Sequence, residues 1–284
     1  MVELSVAEIV ADTLFSSRTV TVRDIRCQGT CKHESPEECA TSTQLVFPYQ
    51  GVYVRHVGQD QVVAEANQVL FFNAWQGYHV SHPVAGGDAS LSLVISEPQL
   101  HELAPRDFLE VGSGVIFRPR RLRIEARTQA LVALLRHCLR QPLVEPLEAE
   151  SLALTLVQRV LGLRAARQPE GSAGRQRLVD RAKLVLASDL ARRWTLADIA
   201  ARVRVSPVYL TQLFQQVEGL PLYRYQLRLR LARALDLLAD CDDLTALALE
   251  LGFSSHSHFS AAFRHIYGES PSQFRQSASR RWDV

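Results

Sequence analysis

Cys27, Cys31, His33 and Cys39 fall within the thirteen residues CQGTCKHESPEEC. Three thiols and an imidazole at that density can ligate zinc or copper, or two of the thiols can form a redox-sensing pair. The spacing is not the C-x2-C of a strong zinc site, so loop cysteines without a ligand role are the competing reading. His79 and His82, in YHVSHP, close a strand-like run and read as pocket lining or surface.

These residues need elements to hold them. From about Thr19 to Ile95, short apolar runs (Val20–Val22, Leu45–Phe47, Gly51–Val57, Val69–Phe72, Leu91–Ile95) alternate with turn residues such as Pro48, Gly58, Asn73 and Gly86-Gly87. That pattern predicts an antiparallel sandwich or barrel. The period then becomes helical over Leu122–Leu139 and, after Pro142 and Pro146, over Leu147–Leu163. The two helices form a hairpin that either packs on the barrel or offers a surface to a second subunit. Arg164–Arg177, RAARQPEGSAGRQR, has linker composition. The expected organisation is 1–165 as one domain, 166–176 as linker and 177–278 as an all-helical domain.

Bulk properties agree with a two-domain globular chain. It has 284 residues, 47% of them hydrophobic, and a net charge of +2. Residues 1–174 carry 16 basic and 19 acidic groups, against 16 and 11 in residues 175–284. The basic second part suits a polyanion. No run approaches the ~20 apolar residues of a membrane span. The start MVELSVAEIVAD lacks a basic stretch and an apolar signal core. A cytoplasmic protein with reduced cysteines and no membrane partner is therefore expected.

The decisive pattern is an internal repeat. LADIAARVRVSPVYLTQLFQQVEG, Leu196–Gly219, aligns with LTALALELGFSSHSHFSAAFRHIYG, Leu244–Gly268. Leu196, Ala200, Ser206, Leu210, Phe214 and Gly219 match Leu244, Ala248, Ser254, Phe259, Phe263 and Gly268, with one inserted residue. Each copy has the marks of a helix-turn-helix. Thr195 or Asp243 starts a short helix. A small residue, Ala200 or Ala248, permits close helix approach. A left-handed turn follows, with Gly252 in the second copy, and Ser206 or Ser254/Ser255 caps the next helix. Pro207 stands at a first helical position. A joining helix over roughly Leu222–Leu238 links the copies. Two reading helices on one rod suit successive major-groove segments ~34 Å apart.

Residues from about Arg177 to Arg275 resemble the AraC/XylS family of bacterial transcription regulators. The resemblance is carried by A-x3-GF-x5-F-x3-F-x4-G-x-SP-x2-FR from Ala248 to Arg275, by the first repeat, and by RL-x2-A-x2-LL at Arg230–Leu238. Arg204 departs from it, standing in the first turn where the family often has Gly. The segment His56–Asp88 and the two following helices resemble the cupin-like effector domain of many members. The implied fold is α+β: an N-terminal cupin-like β-barrel with two helices, then two helix-turn-helix units joined by a long helix.

The resemblance implies that the second helix of each unit reads bases. Carried over by position, the first presents Val208, Tyr209, Thr211 and Gln212. Gln can pair with adenine and Val or Thr can touch a thymine methyl. The second presents His256, Ser257, Ser260 and Ala261, shorter groups suited to shape or water-bridged readout. Arg224, Arg228 and Arg264 are the expected phosphate contacts. The first unit is expected to supply more base-specific contacts, with the second as backbone anchor. Expected partners are double-stranded promoter DNA, an unidentified effector, a second copy bound through the N-terminal helices, and RNA polymerase if the protein activates. No cofactor is implied beyond zinc or copper at the cysteine cluster. A cupin-type metalloenzyme fused to a DNA-binding tail is the competing reading. The His-x-His…Glu…His set of catalytic cupins is not evident, which favours a non-catalytic pocket.

Overall fold

The computed structural model describes residues 9–30, 32–110, 115–141, 144–162 and 173–279. Cys31 and much of the expected linker lie outside the described residues. The chain divides into two compact units, Met1–Arg164 and Ala165–Val284.

Among the described residues the first unit has ten strands: β1 (Ile9–Ser16), β2 (Val20–Cys27), β3 (Glu38–Cys39), β4 (Gln44–Gly51), β5 (Tyr53–Val57), β6 (Asp60–Ala64), β7 (Gln68–Phe72), β8 (Gly77–Ser81), β9 (Asp88–Ile95) and β10 (Arg121–Arg123). All ladders between them are antiparallel. They form two sheets, ordered β1-β2-β9-β4-β7-β10 and β3-β8-β5-β6, where a sandwich or barrel is expected, and neither sheet closes on itself among the described residues. Val46, Leu70 and Phe72 of the larger sheet share one buried cluster with Tyr53, Val62 and Ala64 of the smaller. Pro48 is tolerated inside β4 because the register slips there, between Pro48 and Gln50, at a bulge.

The described residues of this unit also form the α-helices α1 (Glu97–Leu103), α2 (Ala126–Leu139) and α3 (Pro146–Gly162). The helix expected from Leu122 starts later. Leu122 is instead a strand residue facing Val69 across the β7–β10 ladder. A single apolar residue cannot show which period it belongs to. α3 packs on α2, α1 and β2 and buries Ala153, Leu156, Val157 and Val160. Leu147, at the start of α3, is exposed.

The second unit is helical: α4 (Ala173–Ala187), α5 (Leu196–Val203), α6 (Pro207–Glu218), α7 (Leu222–Leu237), α8 (Leu244–Glu250), α9 (His256–Tyr267) and α10 (Pro271–Ser279). α4 begins inside the stretch read as linker. Val179, Ala182 and Leu186 of α4 pack with Ile199, Ala200, Leu210, Phe214 and Tyr225. The later part is organised by aromatic rings: Phe253, Phe259, Phe263 and Phe274 follow one another with centroids 5.2, 5.8 and 6.0 Å apart. Among the described residues no helix is long and apolar enough to cross a membrane.

Arg204 ends α5 at φ 61°, ψ 49°, the left-handed region. A side chain there costs ~1–2 kcal/mol, part of which glycine would return through its larger unfolded-state entropy. Arg204→Gly is therefore expected to raise stability by about 0.5–1 kcal/mol. The urea midpoint of the full chain should rise; a lower midpoint would count against strain at this turn.

Candidate nucleic-acid interface

Each repeat fixes the starts of both its helices by local hydrogen bonds. In the first, Thr195 and Asp198 form a capping box: the Asp198 N–H donates to Thr195 Oγ1 at 3.1 Å and the Thr195 N–H to Asp198 Oδ2 at 3.2 Å. Those bonds hold the Asp198 carboxyl below its ordinary range. After the Arg204 turn, Ser206 Oγ accepts the Tyr209 N–H at 3.2 Å, with Pro207 following at the first helical position. In the second, Asp243 accepts the N–H groups of Thr245 and Ala246. Gly252 makes the left-handed turn at φ 80°, and Ser255 Oγ accepts the His258 N–H at 3.1 Å.

The second helices bury one face and expose the other. α6 buries Leu210, Leu213, Phe214 and Val217. Val208, Tyr209, Thr211 and Gln212 are all exposed. Val208 is 68% exposed and Tyr209 44%, an apolar surface that folding does not account for. The Thr211 hydroxyl donates to the Pro207 carbonyl at 3.0 Å. Gln215 and Gln216 extend the same exposed face. They were missed, although their i+4 spacing from Thr211 and Gln212 could have found them.

α9 is arranged differently. It buries Phe259 and Phe263 and exposes Ser257, Ala261 and Arg264. His256 and Ser260 are only half-exposed and meet each other, Nε2 to Oγ at 3.2 Å. His258 and His265 are exposed on this helix and escaped the sequence reading. His258 Nδ1 lies 3.1 Å from Ser254 Oγ.

The three arginines differ as well. Arg264 is exposed in the last turn of α9. Arg224 is exposed, and its Nε donates to the Tyr223 hydroxyl at 3.0 Å. Arg228 is half-buried; burial raises the Tyr267 phenol above its ordinary range, and the Arg228 charge opposes that shift. Arg230, left out of the expected contacts, is a structural tie. Its guanidinium donates to the carbonyls of Leu190, Ala191 and Arg192 before α5 and to that of Gly252 at the second turn, over 2.6–3.2 Å.

Among the described residues, Cys27, His33 and Cys39 do not form a group of ligand-type atoms. His33 and Cys39 are exposed, and Cys31 is outside the described residues. Among the described residues the ligand-type atoms that group together belong to Cys27, His82 and Asp88, not to Cys27, His33 and Cys39. His79 Nδ1 lies 2.8 Å from the Ser35 carbonyl, a loop contact.

Parts of the chain are similar to known proteins. Residues 199–277 match a family model described as a helix-turn-helix domain. A protein of Streptomyces antibioticus named as an AraC-like transcription regulator is 31% identical over 67% of this chain and 62% of its own length. LumQ of Photobacterium leiognathi, named as a transcriptional regulator, is 25% identical over 80% of this chain and 89% of its own. The crystal structure of a transcriptional regulator with an AraC-type DNA-binding domain from Chromobacterium violaceum is 32% identical, covering 38% of this chain and 98% of that one, with a TM-score of 0.36. The chain spans less than two thirds of the length of the first of these relatives.

Proposed function

The chain belongs to the AraC family of transcription regulators, and from that premise we propose that it binds promoter DNA by placing α6 and α9 in the major groove. The supporting observation is the pair of capped helices, each with one buried and one exposed face, in a single helical unit. The exposed carboxamide of Gln212 can make two hydrogen bonds to an adenine edge, and Val208 and Tyr209 suit thymine methyl groups. α9 offers Ser257 and Ala261 to the groove and Arg264 to phosphate, with His256 and Ser260 partly committed to each other. The first unit therefore supplies most base-specific contacts, and the second anchors the backbone. Arg224 is the better phosphate contact on α7, since Arg228 is half-buried.

The first unit is, in this proposal, a cupin-like sensor for a small molecule, metal or redox signal. Dimerisation through its helices, contact with RNA polymerase and residence in the cytoplasm belong to the same proposal. The relatives above are named as regulators, which favours sensing over catalysis. A thermal-shift screen of the full chain tests for an effector.

The DNA reading is tested by selecting bound sequences from a random pool and then comparing variants. Gln212→Ala is expected to cost about 1–3 kcal/mol at one base position while leaving other positions unchanged. Arg264→Ala should weaken binding on all sequences and reduce the salt slope by about one. Unchanged footprints and salt slopes in both variants would remove the proposed contacts.

A further inference from the structure

We propose that Cys27, His82 and Asp88 form a binding site for a divalent cation of the zinc type. One ligand-type atom from each lies within 4.8 Å of the other two. With metal–ligand bonds of ~2.0–2.3 Å, tetrahedral neighbours stand ~3.3–3.6 Å apart, inside that reach. His82 Nε2 is now 2.6 Å from Asp88 Oδ2, a hydrogen bond. Exchanging its proton for a cation requires the two atoms to separate by less than ~1 Å. A thiolate and a carboxylate around a neutral imidazole carry two negative charges, which a divalent ion balances. Sulfur and nitrogen donors select zinc over magnesium or calcium, which prefer all-oxygen sets.

The fold holds the three groups independently of any ion. Cys27 ends β2 and Asp88 begins β9, and they face each other across the ladder. His82 follows β8 in the other sheet, so an ion here would join the two sheets at one rim. His82 and Asp88 are 3% and 8% exposed, while Cys27 is half-exposed and leaves a route in. Two left-handed glycines allow the strand ends to meet. A Cβ on Gly29 would lie 2.8 Å from Gly87 Cα and 3.2 Å from His82 Cδ2; one on Gly87 would strike the Cys27 carbonyl oxygen. The Gly29 N–H also donates to Cys27 Sγ at 3.4 Å, orienting the sulfur.

Metal uptake by the full chain is the test, and it needs no DNA, so its failure is separate from failure of the DNA-binding reading. Chelator competition should show one equivalent of zinc. Cobalt in its place should give the near-ultraviolet absorption of a thiolate–cobalt bond. Cys27→Ser should abolish that band, and both Cys27→Ser and the near-isosteric Asp88→Asn should weaken zinc at least about tenfold. Cys39→Ser should change neither. The cobalt band of the unsubstituted protein carries the test if a variant fails to fold. No stoichiometric zinc, a band retained in Cys27→Ser, or one lost in Cys39→Ser would overturn the site.

Discussion

Lys183→Ala is expected to lower the stability of the helical unit by about 3–5 kcal/mol. Lys183 on α4 and Glu218 on α6 are each 1% exposed, with Nζ 2.6 Å from Oε1. Asp180 Oδ1 is 3.9 Å away and the Tyr225 ring centroid 5.5 Å. The contact is an ion pair between two buried charges. Removing the ammonium leaves the Glu218 carboxylate buried without its cation, and that penalty dominates. Such a loss is a large share of the ~5–15 kcal/mol that holds a domain folded. The double variant Lys183→Met with Glu218→Leu removes both charges and fills the space. It should recover most of the loss, because the pair was held against a desolvation cost. Urea unfolding of the three full-length proteins followed by circular dichroism decides the matter. A single variant within 1 kcal/mol of the parent would remove the buried pair as a determinant of this core.

Gly252→Ala should lower stability by about 2–4 kcal/mol, and DNA affinity with it. At φ 80° any Cβ is strained, and here it would also run into the backbone carbonyl of Ala191. The obstruction is main chain, so no side chain can rotate aside. Gly268 supplies the control. It has φ 87° and open space where its Cβ would stand. Gly268→Ala should therefore show the conformational cost alone, about 1–2 kcal/mol. The difference between the two variants isolates the contact of the second turn with the loop before α5. Equal losses would mean that the contact is dispensable.

The helical unit was legible because its signals are local. Thr195, Asp243 and Ser206 cap the helices they were expected to cap, and Gly252 makes its left-handed turn. Arg204 stands in that same conformation without being glycine. The joining helix ends one residue from its expected limit, where one 3-10 turn, Leu238–Asp240, takes over. What failed to show was whatever depends on register. β1 is largely exposed, so it has no buried face to print an alternation on the sequence. The division of the strands into two sheets is a matter of which strands pair rather than of where strands lie. Chain spacing places Cys27 near Cys31, His33 and Cys39, and only the ladder pairing shows that it also stands opposite Asp88, far along the sequence. The His256–Ser260 contact, at i+4 spacing, was within reach of a helical reading and was overlooked.

Arg230 has a consequence for the operator rather than for the protein. One side chain fastens the approach to the first reading unit to the turn of the second. If, as proposed above, α6 and α9 enter successive major-groove segments, this tie makes the two units a caliper with a locked hinge, and the gap between half-sites becomes part of the recognised sequence. Inserting one base pair turns the far half-site by about 35° around the duplex axis, at 10–10.5 base pairs per turn. A caliper that cannot open must release one side or bend the DNA. In that binding mode, spacing adds to the choice between promoters without a side chain touching the intervening base pairs.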